Sequence, residues 1–340
     1  MSIRDLENAV EHWSFYDMKE QLRRHVYQRS EEAFDAGDEA RDRLSGIQDA
    51  EARKKSMRGR FIEAIGGLPP SDTPLNPKVA GSIRRDGFRI EKIIFESRPG
   101  NYVTANMYIP EDAVFPCAAV LFLCGHDKGA KCQAQYQLVC QYLVNAGLAV
   151  LAIDPIGQGE RLSYYEKSIH DATVAWGTFE HDYTGSQCMP LGNCMAKYFL
   201  HDSMRAVDYL CKRKEVDPRK IGVTGNSGGG LQTAMMMICD DRIAAAAPGT
   251  FIMNRRTNLY ATVHQDNEQL WPKMSKEGFD HEDVLLMMAP KPVLILSVKY
   301  DFFPIEGTRQ TVARAKRFWE LYGRADCLEL FEEQSKHCYT

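Results

Sequence analysis

Gly225-Asn226-Ser227-Gly228-Gly229 follows the apolar run Ile221-Gly222-Val223-Thr224 and precedes the apolar stretch 231–238. A serine on a tight strand-to-helix turn needs glycine-sized flanks, because strand and helix approach each other closely there. The side chain at 227 is then held out at a helix N-terminus, and the chemistry this permits is nucleophilic attack on a carbonyl carbon. A phosphate-cradling loop would require Gly-Lys-Ser/Thr, and a dinucleotide fingerprint would require glycine at 227; neither is present.

A serine hydroxyl is a weak nucleophile until a base takes its proton, so Ser227 demands a histidine and a carboxylate that fixes that histidine's tautomer. With a strand-turn-helix serine the partners follow in the order serine, acid, histidine. Asp301 ends the apolar run 292–300, which delivers its carboxylate to the same sheet edge as Ser227. Glu306 is the rival acid, five residues further on and at the expected start of the next helix. Only His337 lies beyond Asp301, in a loop after a strand predicted at 327–331, which makes it the expected base. His264 and His281 precede Asp301 in irregular chain and are expected to line a pocket or lie on the surface.

A second glycine turn, Cys124-Gly125-His126-Asp127, ends the apolar run 118–124. Its amide from His126, with Asp127 the alternative, and the amide of Gly228 are the expected donors to a tetrahedral oxyanion. Only the His126 amide is needed for this; its imidazole is expected to be exposed on the turn.

The positioning elements follow from periodicity. Residues 88–96 and 102–109 alternate apolar and polar side chains about the turn Arg98-Pro99-Gly100-Asn101, the pattern of a β-hairpin. Short apolar runs at 118–124, 148–153, 221–224, 243–247 and 293–298 alternate with helix-length stretches at 135–145 and 195–213, which predicts an α/β chain whose mostly parallel sheet carries helices on both faces. Before them, 17–65 has apolar residues at helical spacing (Leu22, Val26, Tyr27; Met57, Phe61, Ile62, Ile65), stopped by Gly66-Gly67 and the prolines that follow. Residues 1–68 are therefore read as a helical extension packed on the main domain or on a second subunit, and 80–340 as the catalytic domain. Two irregular stretches, 163–193 and 253–283, break the rhythm and are expected to be lids or pocket walls. Trp176 in the first and Trp271 in the second offer faces on which sugar rings would stack.

Composition narrows the partners. Forty-two basic and forty-six acidic side chains leave a formal charge of −4, no surplus for gripping nucleic acid or anionic lipid. The charged start, Met1-Ser2-Ile3-Arg4-Asp5-Leu6-Glu7, lacks the apolar core of a secretory signal, and no apolar run reaches the roughly 20 residues of a membrane span, so a cytoplasmic protein is expected. The ten cysteines lie mostly inside apolar runs and read as buried thiols; none has Cys-x-x-Cys spacing, and neither metal nor organic cofactor is expected.

Four further segments carry a family resemblance: 154–161 (Asp-Pro-Ile-Gly-Gln-Gly-Glu-Arg), 202–210 (Asp-Ser-Met-Arg-Ala-Val-Asp-Tyr-Leu), 216–225 (Val-Asp-Pro-Arg-Lys-Ile-Gly-Val-Thr-Gly) and 289–294 (Ala-Pro-Lys-Pro-Val-Leu). With the serine turn they resemble the acetyl xylan esterase-like branch of the α/β-hydrolases, near the dienelactone-hydrolase and prolyl-oligopeptidase-like enzymes. The resemblance implies the α/β-hydrolase fold, the triad Ser227, Asp301 and His337, an amide from the residue after Gly125, and a small-molecule or carbohydrate ester as substrate. It departs where that branch has His-Gly and this chain has Cys124-Gly125, and where Gly228 replaces a larger residue, which leaves acetyl specificity open. Members of the fold close with a helix on the sheet, so the sequence is expected to be truncated after Thr340. The expected activity is hydrolysis of a carboxylic ester through an acyl-enzyme. The alternatives are a serine peptidase of the prolyl-oligopeptidase type and a catalytically silent binding protein, and the N-terminal helices are the expected surface of any homo-oligomer.

Overall fold

A computed structural model describes residues 20–339; the charged start and the first residues of the helical stretch from 17 lie outside them. In chain order the elements are α1 (Gln21–Asp42), α2 (Ile47–Ala64), β1 (Lys78–Arg85), β2 (Phe88–Arg98), β3 (Asn101–Pro110), β4 (Cys117–Leu123), α3 (Ala134–Asn145), β5 (Ala149–Ile153), β6 (Tyr165–Glu166), β7 (Asp171–Ala172), α4 (Thr178–Cys188), α5 (Met195–Cys211), β8 (Val216–Asn226), α6 (Gly228–Cys239), β9 (Ile243–Gly249), α7 (Arg255–Ala261), α8 (His281–Met288), β10 (Val293–Tyr300), α9 (Ile305–Leu321) and β11 (Leu328–Lys336).

Nine strands form one sheet in the order β1-β2-β3-β5-β4-β8-β9-β10-β11. The hairpin β2–β3 is antiparallel, with Ile93 opposite Ala105, and β3 meets β5 antiparallel. From β5 to β11 every pairing is parallel. The chain runs from β4 outward to β5, then returns to lay β8 on the other side of β4. That reversal lies between the carboxyl ends of β4 and β5 and of β4 and β8, the crevice in which open α/β sheets place their ligands.

Burial explains the apolar runs. All five residues of β5 are buried, as are Leu121, Phe122 and Leu123 of β4, because helices cover both faces. One face packs Phe122, Tyr136, Cys140 and Val150 beneath α3; the other packs α2, α5, α6, α8 and α9 against the sheet. Five cysteines (117, 124, 140, 188 and 194) are buried, whereas Cys132 is exposed. Burial pushes the Cys124 thiol well up, so it stays protonated and inert.

The two N-terminal helices pack on the elements that follow the sheet's middle strands, through α8 and the turn before it. Buried Arg41 of α1 and Arg53 of α2 both bond the Asp283 carboxylate, at 2.9 and 2.5 Å, and both donate to the Gly278 carbonyl, at 2.7 and 3.0 Å. Asp283 also closes the capping box of α8 with Asp280. Gly37 meets Gly278 so closely that a Cβ on it would sit 2.7 Å from the Gly278 oxygen. Among the described residues no helix is long and apolar enough to cross a membrane.

His281 is neither surface nor pocket wall as expected: it is 0% exposed, with Nδ1 accepting the Met253 N–H at 3.0 Å. Burial, and then the nearby Arg255 charge, pushes its pKa down to about 3. Below about pH 6.5 the unfolded chain takes a proton at His281 that the folded chain refuses, so its contribution to stability is full above that pH and falls as the pH drops toward 3. Between pH 6.5 and 5 the wild type is expected to lose about 1.5 kcal/mol that His281→Gln does not lose. Urea titrations at the two pH values check this; equal pH slopes in both proteins contradict it. Buried Asp280 shifts upward and acts with the opposite sign, but it is common to both proteins.

Candidate active site

β8 ends at Asn226, and Ser227 turns the chain into α6 with φ 58° and ψ −118°. This left-handed geometry costs a side chain roughly 1–2 kcal/mol, so the surroundings must enforce it. They do so through the Ser227 N–H, which donates to the Gly249 carbonyl at 3.0 Å and to Thr250 Oγ1 at 3.1 Å, while Thr250 donates to Asn226 Oδ1 at 2.7 Å. The glycine flanks are needed sterically. A Cβ on Gly225 would lie 2.2 Å from the Leu123 oxygen, and one on Gly229 would lie 2.0 Å from it. Gly229→Ala is therefore expected to cost about 3 kcal/mol or more, read as a lowered urea midpoint or loss of soluble protein; wild-type stability would contradict the packing described.

Asp301 follows β10 and His337 follows β11, two neighbouring parallel strands that end on the same side of the sheet as β8. His337 Nδ1 donates to Asp301 Oδ1 at 2.8 Å, and the carboxylate is 2% exposed against 24% for the imidazole. The second Asp301 contact is the Phe303 N–H at 3.1 Å, and the Phe302 ring lies 4.3 Å from the imidazole. Glu306, the rival acid, sits exposed in the first turn of α9. Beyond His337 the chain is pinned, because Tyr339 bonds Thr224 Oγ1 at 2.6 Å and stacks on Phe122. No hydrogen bond joins the Ser227 hydroxyl to His337 among the described residues; such contacts commonly tighten only around substrate.

The glycine turn after β4 reaches the same place. A Cβ on Gly125 would be 2.4 Å from the Asn226 oxygen and 3.3 Å from the Ser227 Cβ, and one on Gly228 would be 2.9 Å from the His126 ring. Two glutamines hold the turn: Gln158 Nε2 donates to the Gly125 and Asp127 carbonyls at 2.7 and 3.0 Å, and Gln232 Nε2 donates to the Cys124 carbonyl at 3.0 Å. Neither was singled out for this from sequence, although Gln158 lies in the 154–161 segment. The rest of that segment is scaffold. Asp154 is fully buried, accepts from Thr104 Oγ1 and the Lys131 and Glu160 amides, and pairs with the Lys131 ammonium. Arg161 and Arg98 grip Asp202 at 2.7 and 2.8 Å.

The His126 imidazole is not exposed as expected. It is 17% exposed and bonds Glu268 Oε1 at 2.8 Å, and Glu268 in turn lies against His181 on α4. Burial pushes the Glu268 carboxyl up, but His181 and then His126 outweigh it and hold the group charged, well below the usual carboxylate range. Trp271 is only 5% exposed and packs edge-on against Phe61, so it offers no face to a sugar ring. In the first irregular stretch Trp176, Phe179 and Tyr183 are exposed.

Sheet order, strained serine turn and acid–histidine pair together define the α/β-hydrolase fold, and the chain has it. The model of the Prolyl oligopeptidase family matches residues 193–296, a span that contains Ser227 but neither Asp301 nor His337. The Bacillus subtilis (strain 168) protein YtaP, described as a hydrolase, is 26% identical over 301 residues, covering 84% of this chain and 95% of its own. Among solved structures, a Bacteroides fragilis protein described as an acetyl xylan esterase superposes with a TM-score of 0.69 at 17% identity, covering 86% of this chain and 77% of its own. A glucuronoyl esterase from Solibacter usitatus does so with a TM-score of 0.64 at 16% identity, covering 87% and 91%.

Proposed function

We propose that the chain is a serine hydrolase of carboxylic esters, acting through an acyl-enzyme on Ser227. The observation that carries this is the 2.8 Å bond from His337 Nδ1 to the buried Asp301 carboxylate, in a sheet whose parallel strands end on the same side as the strained turn at Ser227. Asp301 keeps the Nδ1 hydrogen in place, which leaves Nε2 as the lone pair that takes the Ser227 proton during attack on the ester carbonyl. The amides of Gly228 and His126 receive the oxyanion; losing one such donor typically costs about 10²- to 10³-fold in turnover. Collapse expels the alcohol, which takes the proton from His337, and water activated by the same imidazole then releases the acid.

The acetyl xylan esterase and glucuronoyl esterase likenesses favour an acylated or esterified carbohydrate, and the exposed Trp176, Phe179 and Tyr183 of the first irregular stretch offer apolar faces for it. A cytoplasmic location belongs to the same reading. The N-terminal helices, with Leu22 75% and Val26 46% exposed on α1, are the surface through which a homo-oligomer would form.

A peptidase reading has one specific support, the family match over 193–296. A substrate panel separates the two. Cleavage of aryl acetates, acylated sugars or uronate methyl esters with no cleavage of proline anilides is the expected result. Anilide cleavage without esterase activity would overturn it, and inertness toward every member would favour a silent binding protein.

A further inference from the structure

Beside the triad lies a second cluster of reactive atoms that ester hydrolysis does not use. His126 Nε2 is 2.8 Å from Glu268 Oε1 and 3.2 Å from His181 Nδ1, and His181 Nδ1 is 3.2 Å from Glu268 Oε2. One atom from each of these residues can be chosen so that all three lie within 4.8 Å of one another. His181 and Glu268 are 0% and 1% exposed. The three come from separate parts of the chain: the turn after β4, α4 in the first irregular stretch, and the short turn Asn267–Gln269 in the second.

Tautomers decide what the cluster is for. His181 Nε2 lies 2.8 Å from the Ile156 carbonyl, which can only accept, so Nε2 carries the hydrogen. In the neutral ring Nδ1 is then a lone pair, and it faces Glu268 Oε2, a buried carboxylate oxygen with no hydrogen-bond partner. Two acceptors held 3.2 Å apart in a buried site need a proton or another cation between them. An imidazole whose far nitrogen donates to a backbone carbonyl while its near nitrogen faces a carboxylate is the arrangement that orients metal-binding histidines.

We propose that His126 Nε2, His181 Nδ1 and the Glu268 carboxylate bind one zinc ion. Zinc takes imidazole nitrogen at about 2.0–2.1 Å and carboxylate oxygen at about 2.0–2.2 Å in a tetrahedron, whose edges are then about 3.3–3.5 Å. The spacings of 2.8 and 3.2 Å require only a small outward movement of the side chains. Two histidines and one glutamate leave a fourth position for water or a ligand oxygen; the next carboxylate, Asp266, has Oδ2 3.9 Å from His126 Nε2. The ion ties both irregular stretches to the turn after β4. α4 and the Asn267–Gln269 turn already pack tightly, since a Cβ on Gly185 would lie 2.3 Å from Asn267 and Asp182 accepts the Asn267 N–H at 2.9 Å.

The test uses the untagged full chain, stripped with a chelator and titrated with zinc chloride by calorimetry, with metal content read by mass spectrometry. One equivalent of zinc per chain is expected, weakened more than about 100-fold in Glu268→Gln and in His181→Asn at unchanged circular dichroism. Cobalt(II) in place of zinc is expected to give the visible bands of a four-coordinate nitrogen–oxygen site. Where either variant folds poorly, the cobalt spectrum of the wild type decides. Far less than one equivalent of metal, binding undiminished in folded variants, or no four-coordinate spectrum would each overturn the proposal. The cluster would then be an imidazolium paired with a glutamate.

Discussion

Ser227→Ala is expected to reduce ester hydrolysis by about 10⁴-fold or more while the protein stays folded. Alanine removes only the hydroxyl. The Ser227 N–H keeps its bonds to Gly249 and Thr250, and a Cβ remains at φ 58°, so the turn is no more strained than before. What is lost is the atom that forms the acyl-enzyme, and the donors and pocket that remain supply only residual catalysis over water. Ser227→Gly gives an internal control. It removes the same hydroxyl but also the Cβ that the left-handed turn penalises, so it should match the alanine variant in activity and exceed it in stability by about 1 kcal/mol. Activity near wild type in either variant would remove Ser227 from the mechanism.

Asp283→Ala is the stability change of comparable weight. The carboxylate is fully buried and serves Arg41, Arg53 and the Asp280 N–H at once, so its removal leaves two buried guanidinium groups facing a void. Breaking a buried ion pair from one side costs about 3–5 kcal/mol, a large part of the roughly 5–15 kcal/mol that holds a domain together. The expected readout is a much lower urea midpoint, with α1 and α2 exposed first to limited proteolysis because Asp283 is their shared anchor. Replacing the three together, Arg41→Met, Arg53→Met and Asp283→Leu, should cost less than Asp283→Ala alone, since the carboxylate and both guanidinium groups leave together while Glu282, which also pairs with Arg41, keeps Arg314 and Arg317. A triple variant less stable than the single one would mean that the network contributes net attraction.

The serine turn was legible in the sequence because strain leaves a local mark: only glycine fits at 225 and 229 against the Leu123 oxygen. The pairing of Asp301 with His337 was legible because parallel topology fixes which strand ends share an edge, and the chain has one histidine beyond Asp301. Edge strands were less so. β1 is mostly exposed, with only Gly81 and Ile83 half-buried, and β11 runs on through the polar residues Glu332 to Ser335 because pairing with β10, not burial, holds it there. The His126–His181–Glu268 cluster left no mark at all, since its members are 55 and 142 residues from His126 and lie in stretches without periodicity. The anchoring of the N-terminal helices was hidden for a related reason. It runs through buried arginines, a residue type that sequence patterns assign to the surface.

Treatment of the native chain with a fluorophosphonate, followed by peptide mass spectrometry, tests the central claim most directly. The account predicts a single phosphonyl adduct, on Ser227, formed together with loss of esterase activity and absent from Ser227→Ala. A folded chain that stays unlabelled, or one labelled at another residue while its activity is lost, would contradict it.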